Sequence, residues 1–156
     1  MDSQFGSDLN FQKFDNCIRE DTILVGYPEG LGSGKADLDL IAKWQSTGAG
    51  NIKTERPFLE DGILSEEEKI KELIKKIFED MIRGNSPNYD RIAIEAIAAI
   101  QKFVRSDYYE TNKPIKDATI RRKTSKKGRA SGDMKSKPLI DTGLLINSIT
   151  YLIEGK

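Results

Sequence analysis

The stretch from Tyr89 to Arg105 constrains the fold most, because its apolar residues surround nearly the whole circumference of a helix. Ten positions carry Ile, Ala, Phe or Val: Ile92, Ala93, Ile94, Ala96, Ile97, Ala98, Ala99, Ile100, Phe103 and Val104. A helix that is apolar on most sides has to be covered on more than one side. The pattern therefore predicts a central helix that packs on a sheet and on a neighbouring helix, or one that packs against a neighbouring subunit.

A second long helix is predicted just before it. Ser65-Glu66-Glu67-Glu68 has the pattern of a capping box, in which the Ser65 hydroxyl and the Glu68 carboxylate satisfy free amides of the first turn. One continuous apolar stripe follows, formed by Ile70, Leu73, Ile74, Ile77, Phe78, Met81 and Ile82. Gly84 and Pro87 are predicted to end this helix.

Two β-branched runs, residues 22–27 and 148–153, predict strands. The fold class expected is α+β: a small antiparallel β-sheet packed against two long α-helices, with extended loops and an N-terminal arm. The sequence does not fix whether the two strands are neighbours.

Shorter elements complete the expected domain. Residues 36–44 predict a helix with Trp44 in the core, and residues 47–56 predict a turn or a hairpin arm. We expect Arg56-Pro57-Phe58 to form a turn in which Phe58 anchors and Arg56 pairs with an acid. A short helix is predicted to start at Asp117, and Asp141 or Thr142 is expected to cap another.

The chain divides into two parts by composition. Residues 1–20 are mostly polar, with isolated Phe5, Phe11 and Phe14, and have too few apolar residues for a core of their own. We expect this arm to be flexible or docked on a neighbouring subunit. Residues 21–156 are predicted to form a single α+β domain, which is large enough to bury a core.

The absence of histidine excludes whole classes of chemistry. Ser-His-Asp and Cys-His catalysis and every zinc site with a histidine ligand are removed together. Adjacent acids such as Glu66 and Glu67 are better explained as complements to a helix dipole than as magnesium ligands. We therefore predict no enzyme, no metal and no cofactor.

No apolar run is long enough for a membrane span, and no signal-peptide pattern opens the chain, so no membrane partner is expected. The single cysteine, Cys17, excludes an internal disulfide and suits synthesis in a reducing cytoplasm.

The formal net charge is zero, but the charges are unevenly distributed. Residues 121–137 carry eight basic residues against the single acid Asp133, which makes the segment +7 and the remainder −7. The segment is predicted to be a basic loop that is either a solvated connection or a contact to nucleic acid or to an acidic partner. No aromatic residue is interleaved, so phosphate contact without sequence readout is the nucleic-acid mode expected. Such polarity also suits head-to-tail association of copies.

The C-terminal region resembles a known signature. Lys137-Pro138-Leu139-Ile140-Asp141-Thr142-Gly143-x-Leu145-x-x-Ser148-Ile149, with Ala118-Thr119-Ile120-Arg121-Arg122-Lys123 upstream, resembles the C-terminal signature of tailed-bacteriophage neck and tail-completion proteins. Val25-Gly26-Tyr27-Pro28-Glu29-Gly30 resembles the first strand and turn of that family. Ile41-Ala42-Lys43-Trp44-Gln45, followed by Arg56-Pro57-Phe58-Leu59, resembles its helix and Arg-Pro-Phe turn. The chain departs from the pattern at residues 45–48, where Glu-Phe-Gly is commoner, and in a longer polar insert at residues 126–136.

The resemblance implies a structural virion protein of the head-to-tail joint. Such a subunit would form a ring around the DNA channel, six copies being the number that the resemblance suggests. The ring would join the phage head-completion or connector protein to the tail terminator or tail tube. Its place would be the virion, after assembly in the cytoplasm of the host bacterium. Two alternatives stay open: a tail terminator or minor tail protein, and a sequence-nonspecific DNA-binding module that uses residues 121–137.

Two groups of candidate site residues follow. The candidates for contact with the DNA channel or a partner are basic: Arg121, Arg122, Lys123, Lys126, Lys127, Arg129, Lys135 and Lys137. The candidates for a subunit interface are aromatic or acidic: Phe5, Phe11, Phe14, Glu66 and Glu67.

Overall fold

The computed structural model of the chain describes residues 22–27, 38–49, 53–125, 136–140 and 143–155. These ranges are mostly helical and contain one small sheet. Their elements in chain order are β1 (Thr22–Gly26), α1 (Leu38–Thr47), α2 (Phe58–Ser65), α3 (Glu67–Ile82), α4 (Tyr89–Arg105), α5 (Tyr108–Asn112), α6 (Asp117–Ser125), α7 (Leu144–Asn147) and β2 (Thr150–Glu154). The coarse α+β prediction is confirmed.

Helix α4 lies at the centre of the domain. It packs against α2, α3, α5, α7 and both strands. Its buried side chains are Ala93, Ala96, Ala99, Ile100 and Val104. The small alanines let neighbouring elements approach the helix closely, which explains how one helix can be covered on several sides. The expected packing on the sheet and on the preceding long helix is therefore made within one subunit.

Helix α2 was not predicted from the sequence, where only the turn at Arg56-Pro57-Phe58 was expected. Gly62 explains how this short helix packs: a Cβ atom built on it would lie 2.6 Å from the Cα of Ile100 in α4. Only a residue without a side chain permits such an approach of two helix backbones. Phe58, at the start of α2, is fully buried and is the anchor that the sequence predicted.

The predicted capping box at Ser65 is wrong. Ser65 is the last residue of α2, and its hydroxyl donates to the carbonyl of Gly62 at 2.7 Å. Glu66 occupies the N-cap position of α3 without a side-chain cap bond. Ser65 cannot be the N-cap of α3, because it still belongs to α2 and the N-cap position of α3 falls on the following residue, Glu66.

The apolar stripe of α3 is only half buried. Ile70, Leu73, Ile77 and Met81 face the interior, whereas Ile74, Phe78 and Ile82 are exposed. The stripe is wider than the seam that one neighbouring helix covers, so its outer edge remains at the surface.

The two strands pair with each other in antiparallel register, with Leu24 opposite Leu152. Both predicted strands are confirmed, although β1 ends at Gly26 and β2 begins at Thr150. An isolated two-stranded sheet is marginally stable in water. Contact with α4 and the hydrogen bond from the Tyr27 hydroxyl to the carbonyl of Leu145, at 2.5 Å, fix the sheet to the helical part.

Trp44 was predicted to be in the core, and this is wrong, because it is 40% exposed. Helix α1 instead buries Leu38 and Ala42, which lie one turn apart and face the main core. The predicted start of this helix at residue 36 lies outside the described residues. The described part of residues 47–56 contains no strand, and residues 50–52 lie outside the described ranges. In the described ranges, no helix has the length and apolar character that crossing a bilayer requires.

Candidate functional site

The basic segment, residues 121–137, starts on a helix and ends at a buried turn. The predicted short helix is confirmed as α6, which begins at Asp117 with an acid in its first turn and carries Arg121 and Arg122 on its exposed surface. An acid at a helix N-terminus interacts favourably with the helix dipole. The segment re-enters the described structure at Ser136, and Pro138 is fully buried in the turn that follows.

Lys123 joins the two ends of the basic segment. Its side chain is buried, at 8% exposure, and its ammonium donates to the carbonyls of Lys137 at 2.9 Å and Ile140 at 2.5 Å. A buried charge is costly unless hydrogen bonds compensate it. The two carbonyls supply that compensation, so Lys123 acts as a clasp between α6 and the turn at residues 137–140.

Lys137 fixes the same turn to the end of the central helix. Its ammonium donates to the carbonyl of Arg105 at 2.6 Å and to the carboxylate of Asp107 at 2.5 Å. Arg105 is the last residue of α4, where carbonyl groups lack partners within the helix and a cation is favourable. The side chain of Lys137 is only 12% exposed.

The turn itself is conformationally unusual. Leu139 has a positive φ of 66°, which is uncommon for a bulky residue. Such a backbone conformation persists when the surrounding contacts impose it. The hydrogen bond from Lys123 to the carbonyl of Ile140, the residue after Leu139, is one such contact. Gly143, with φ of 77°, occupies the N-cap position of α7, so neither Asp141 nor Thr142 is the cap that we predicted. Those two residues lie outside the described ranges.

These contacts divide the eight basic candidates. The ammonium groups of Lys123 and Lys137 bind carbonyls of the same chain, and that of Lys137 also binds the Asp107 carboxylate, so a contact role for these two stays a prediction. Arg121 and Arg122 are exposed on α6. Lys126, Lys127, Arg129 and Lys135 lie outside the described residues, and their contact role stays a prediction.

A second polar cluster fixes the connection that leads into α6. Arg56 is buried and donates to the carbonyl of Lys113 through Nε at 3.0 Å and Nη2 at 2.8 Å, and to the carbonyl of Pro114 at 3.2 Å. The prediction that Arg56 pairs with an acid is wrong. Residues 113–116 are not helical, so the carbonyls of Lys113 and Pro114 need donors from outside the segment, and the guanidinium supplies them.

Tyr109 and Asp61 complete this cluster. The Tyr109 hydroxyl donates to the Asp61 carboxylate at 2.6 Å. Burial, together with this hydrogen bond, raises the pKa of Tyr109 well above its ordinary value. Burial also lowers the pKa of Arg56, and the nearby Tyr109 opposes that shift. Because these groups bind one another and the backbone, their arrangement positions the base of α6. The sequence showed none of these pairings, since the partners lie far apart along the chain.

The predicted interface acids make contacts within the subunit. Glu66 pairs with Lys102 of α4, and this hydrogen bond lowers the pKa of the Glu66 carboxyl. Glu67 pairs with Lys71 at 2.7 Å on the surface of α3. Phe5, Phe11 and Phe14 lie outside the described residues. An interface role for these five residues stays a prediction.

The described residues contain no group of three or more Asp, Glu or Cys side chains placed to hold a metal ion. At the two ends of the basic segment, the ammonium groups of Lys123 and Lys137 hold backbone carbonyls. Comparisons with family models, with curated proteins and with solved structures gave no match to this chain.

Proposed function

We propose that this chain is a structural subunit of the head-to-tail joint of a tailed phage, a neck or tail-completion protein that assembles into a ring around the DNA channel. The observation that carries the proposal is the clasp at Lys123. The phage-like signature has two parts, residues 118–123 and residues 137–149, which the sequence separates. Lys123 joins the first part to Lys137 and Ile140 of the second. The two parts thus form one structural unit, as expected if they belong to a single motif.

The same unit gives the basic segment a fixed base. Without Lys123 and Lys137, the segment retains six basic residues against Asp133, a net charge of +5. Lysine and arginine side chains attract the phosphate backbone irrespective of sequence. A ring that carried one such segment per subunit would line or border its channel with positive charge, and this would favour DNA passing through it.

The partners proposed are copies of the chain itself, six in the closed ring, with the phage head-completion or connector protein on one side and the tail terminator or tail tube on the other. A closed ring requires heterologous contacts between unlike surfaces. The basic segment and the acidic remainder of the subunit supply surfaces of opposite charge for such contacts.

The test is to locate the chain in assembled particles. Tailed particles that contain the chain with a small C-terminal tag would be imaged and averaged, with untagged particles as the control. We expect a ring of tag density at the junction between head and tail. Tag density along the tail tube or over the capsid, or particles without the chain, would overturn the proposal.

A second function, sequence-nonspecific binding of duplex DNA, is favoured by the exposure of Arg121 and Arg122. Binding of two unrelated duplexes would be measured against salt concentration. With six basic residues outside the clasp, the slope of log K against log salt should be no steeper than about −5. The variant Arg121→Glu/Arg122→Glu should bind more weakly and give a shallower slope. Absence of binding by the isolated protein at low salt would exclude this function and leave the ring proposal to the particle experiment.

A further inference from the structure

The outer edge of the α3 stripe is an exposed apolar surface. Ile74, Phe78 and Ile82 follow one another at intervals of one helical turn and are 37%, 57% and 59% exposed. An aromatic side chain presents roughly 200 Å² and an isoleucine somewhat less, so the three expose on the order of 300 Å² together. Contiguous apolar patches of this size on a soluble protein are often functional.

The stripe lies towards one end of the domain, because α3 and α4 are antiparallel. Glu66, just before α3, pairs with Lys102, and Lys69 pairs with Glu95 at 2.5 Å. Residue numbers therefore fall along α4 as they rise along α3. Both helices rise by about 1.5 Å per residue, so Phe78 lies at the level of the N-terminal end of α4.

Strand β1 begins at the same end of α4. The hydroxyl of Tyr151, which lies opposite Val25 in the sheet, donates to the carboxylate of Asp90 in the first turn of α4 at 2.9 Å. Gly26, at the other end of β1, lies beside α2, which packs on the C-terminal half of α4. The chain before Thr22 therefore enters the domain at the end where the stripe lies.

The N-terminal arm, residues 1–20, is long enough to reach the stripe. It lies outside the described residues and leads into β1 at Thr22. Neighbouring elements pack about 8–10 Å apart, so β1 and α3, which both pack on α4, are separated by roughly 20 Å. Phe14 and Phe11 precede Thr22 by eight and eleven residues, which allow spans of up to about 26 Å and about 36 Å. Either phenylalanine can therefore reach Phe78.

The arm also carries side chains that match the stripe. Phe11, Phe14 and Ile18 are spaced by three and four residues, the spacing that places apolar side chains on one side of a helix. Aromatic rings pair favourably with one another, so Phe78 offers a partner for either phenylalanine. A tether of this length keeps the arm at a millimolar effective concentration near the stripe. A contact too small to hold a separate molecule can therefore hold the arm.

We propose that the N-terminal arm docks on the α3 stripe of its own chain, with Phe11 and Phe14 packed against Phe78 and the isoleucines beside it. The contact is made within one chain and needs no second copy. A partner that uses the stripe must first displace the arm. The inference goes beyond the proposed function and does not depend on it, because it concerns the single subunit before any assembly.

The first experiment uses Cys17, the single cysteine of the chain, which lies in the arm. Lys75→Cys adds a second thiol about 60° around α3 from Phe78, and Lys76→Cys adds one about 160° from it. The two lysines are exposed and adjacent along the chain, so the tether to Cys17 has the same length in both variants. A short bis-maleimide should link the thiols within one chain about tenfold faster in Lys75→Cys than in Lys76→Cys.

The reaction is run with the full-length chain at low micromolar concentration, where weak association between chains is negligible. Denaturing electrophoresis separates cross-linked monomers from cross-linked dimers, and mass spectrometry identifies the linked peptides. Initial rates are compared, because even an undocked arm is trapped if the reaction runs long enough.

The second experiment removes the anchors of the arm in the Lys75→Cys protein. Phe11→Ser/Phe14→Ser should slow the cross-linking within one chain about tenfold, because the arm loses the apolar side chains that hold it on the stripe. Asn10→Ser/Gln12→Ser is the matched control, since it changes two polar residues of the same segment and should keep the fast rate.

The third experiment changes the stripe, again in the Lys75→Cys protein. Phe78→Glu should slow the cross-linking by a similar factor, because docking of the arm would desolvate a carboxylate. Ile94→Glu is the control, since Ile94 is 58% exposed on α4 and lies outside the stripe. It should keep the fast rate, and all variants should keep the circular dichroism spectrum of the wild type.

Three outcomes would overturn the inference. The first is an equal rate in Lys75→Cys and Lys76→Cys, as expected if the arm does not dock on the stripe. The second is a product that consists of dimers, which would show that the arm reaches another copy. The third is a fast rate that persists without the phenylalanines of the arm or with Phe78→Glu. None of these would decide the ring proposal, which depends on where the chain lies in assembled particles.

Discussion

Replacing Lys123 with methionine tests whether the clasp holds the candidate site together. Methionine keeps the apolar stem of the side chain and removes the ammonium that binds the carbonyls of Lys137 and Ile140. Ile140 is buried, so its carbonyl loses its donor without gaining access to water. A buried acceptor without a partner costs about 1–3 kcal/mol. Removing a buried charge returns part of its desolvation cost, and we expect a net loss of about 2 kcal/mol.

The loss should be concentrated at the site. Urea unfolding gives the change in the free energy of unfolding, and Lys116→Met serves as the control because Lys116 is exposed just before α6. A surface change of this kind should stay within about 0.5 kcal/mol. Amide exchange gives the local effect: the Ile120 amide, which bonds to the carbonyl of Lys116 at 3.1 Å, should exchange about 30-fold faster, whereas amides in α4 should change less.

The reasoning would be refuted if Lys123→Met unfolded within about 0.5 kcal/mol of the wild type and left the exchange rates of α6 unchanged. That result would mean that the ammonium contributes no net stability. The two parts of the signature would then be held together by apolar packing alone.

Three further changes test the packing around the site, each by urea unfolding. Gly62→Ala should lower the free energy of unfolding by about 1–3 kcal/mol, because the added methyl group overpacks against Ile100 and this outweighs a helix-propensity gain of about 0.5–1 kcal/mol. Wild-type stability would contradict the close approach of the two helices. Tyr109→Phe should lower the free energy of unfolding by about 1 kcal/mol below about pH 9, because the variant lacks the hydrogen bond to Asp61. Because folding raises the pKa of Tyr109, its contribution to the free energy of unfolding is fully present below the unfolded-state pKa of about 10 and is lost as the pH rises further. The free energy of unfolding should therefore fall less steeply with pH in the variant than in the wild type, and parallel pH curves would contradict this. Arg56→Lys should lose about 1–2 kcal/mol, because a lysine cannot span both carbonyls, and an unchanged unfolding midpoint would count against that geometry.

Residue periodicity was sufficient to predict the main elements. The nearly all-round apolar pattern of residues 89–105 predicted a helix at the centre, and α4 is covered by helices and by the sheet. The β-branched runs predicted both strands. These predictions succeed because the burial of a regular element is recorded in the spacing of its own side chains.

Elements whose formation depends on a neighbour were not predictable in this way. Helix α2 is short and contains Gly62, an unfavourable residue in an isolated helix. It forms against Ile100 because the glycine permits contact between the two backbones. Trp44 shows the converse: a large apolar residue at a helical position was assigned to the core, yet the core reaches only the Leu38 and Ala42 side of α1.

The candidate site, too, was predictable in part from the sequence and depended in part on tertiary contacts. Charge counting located the basic segment and its net charge of +7 from composition alone. It could not separate Lys123 from Arg121 and Arg122, since three consecutive basic residues are equivalent until the orientation of the helix relative to the core is known.

By itself, the sequence determined the long helices, the two strands and the position of the basic segment, because these follow from local spacing and from charge. Only the tertiary structure decided which lysines turn inward, which glycine lies against another helix and which edge of the α3 stripe stays exposed. Each of those outcomes depends on residues that are distant along the chain and meet when the other elements pack on α4.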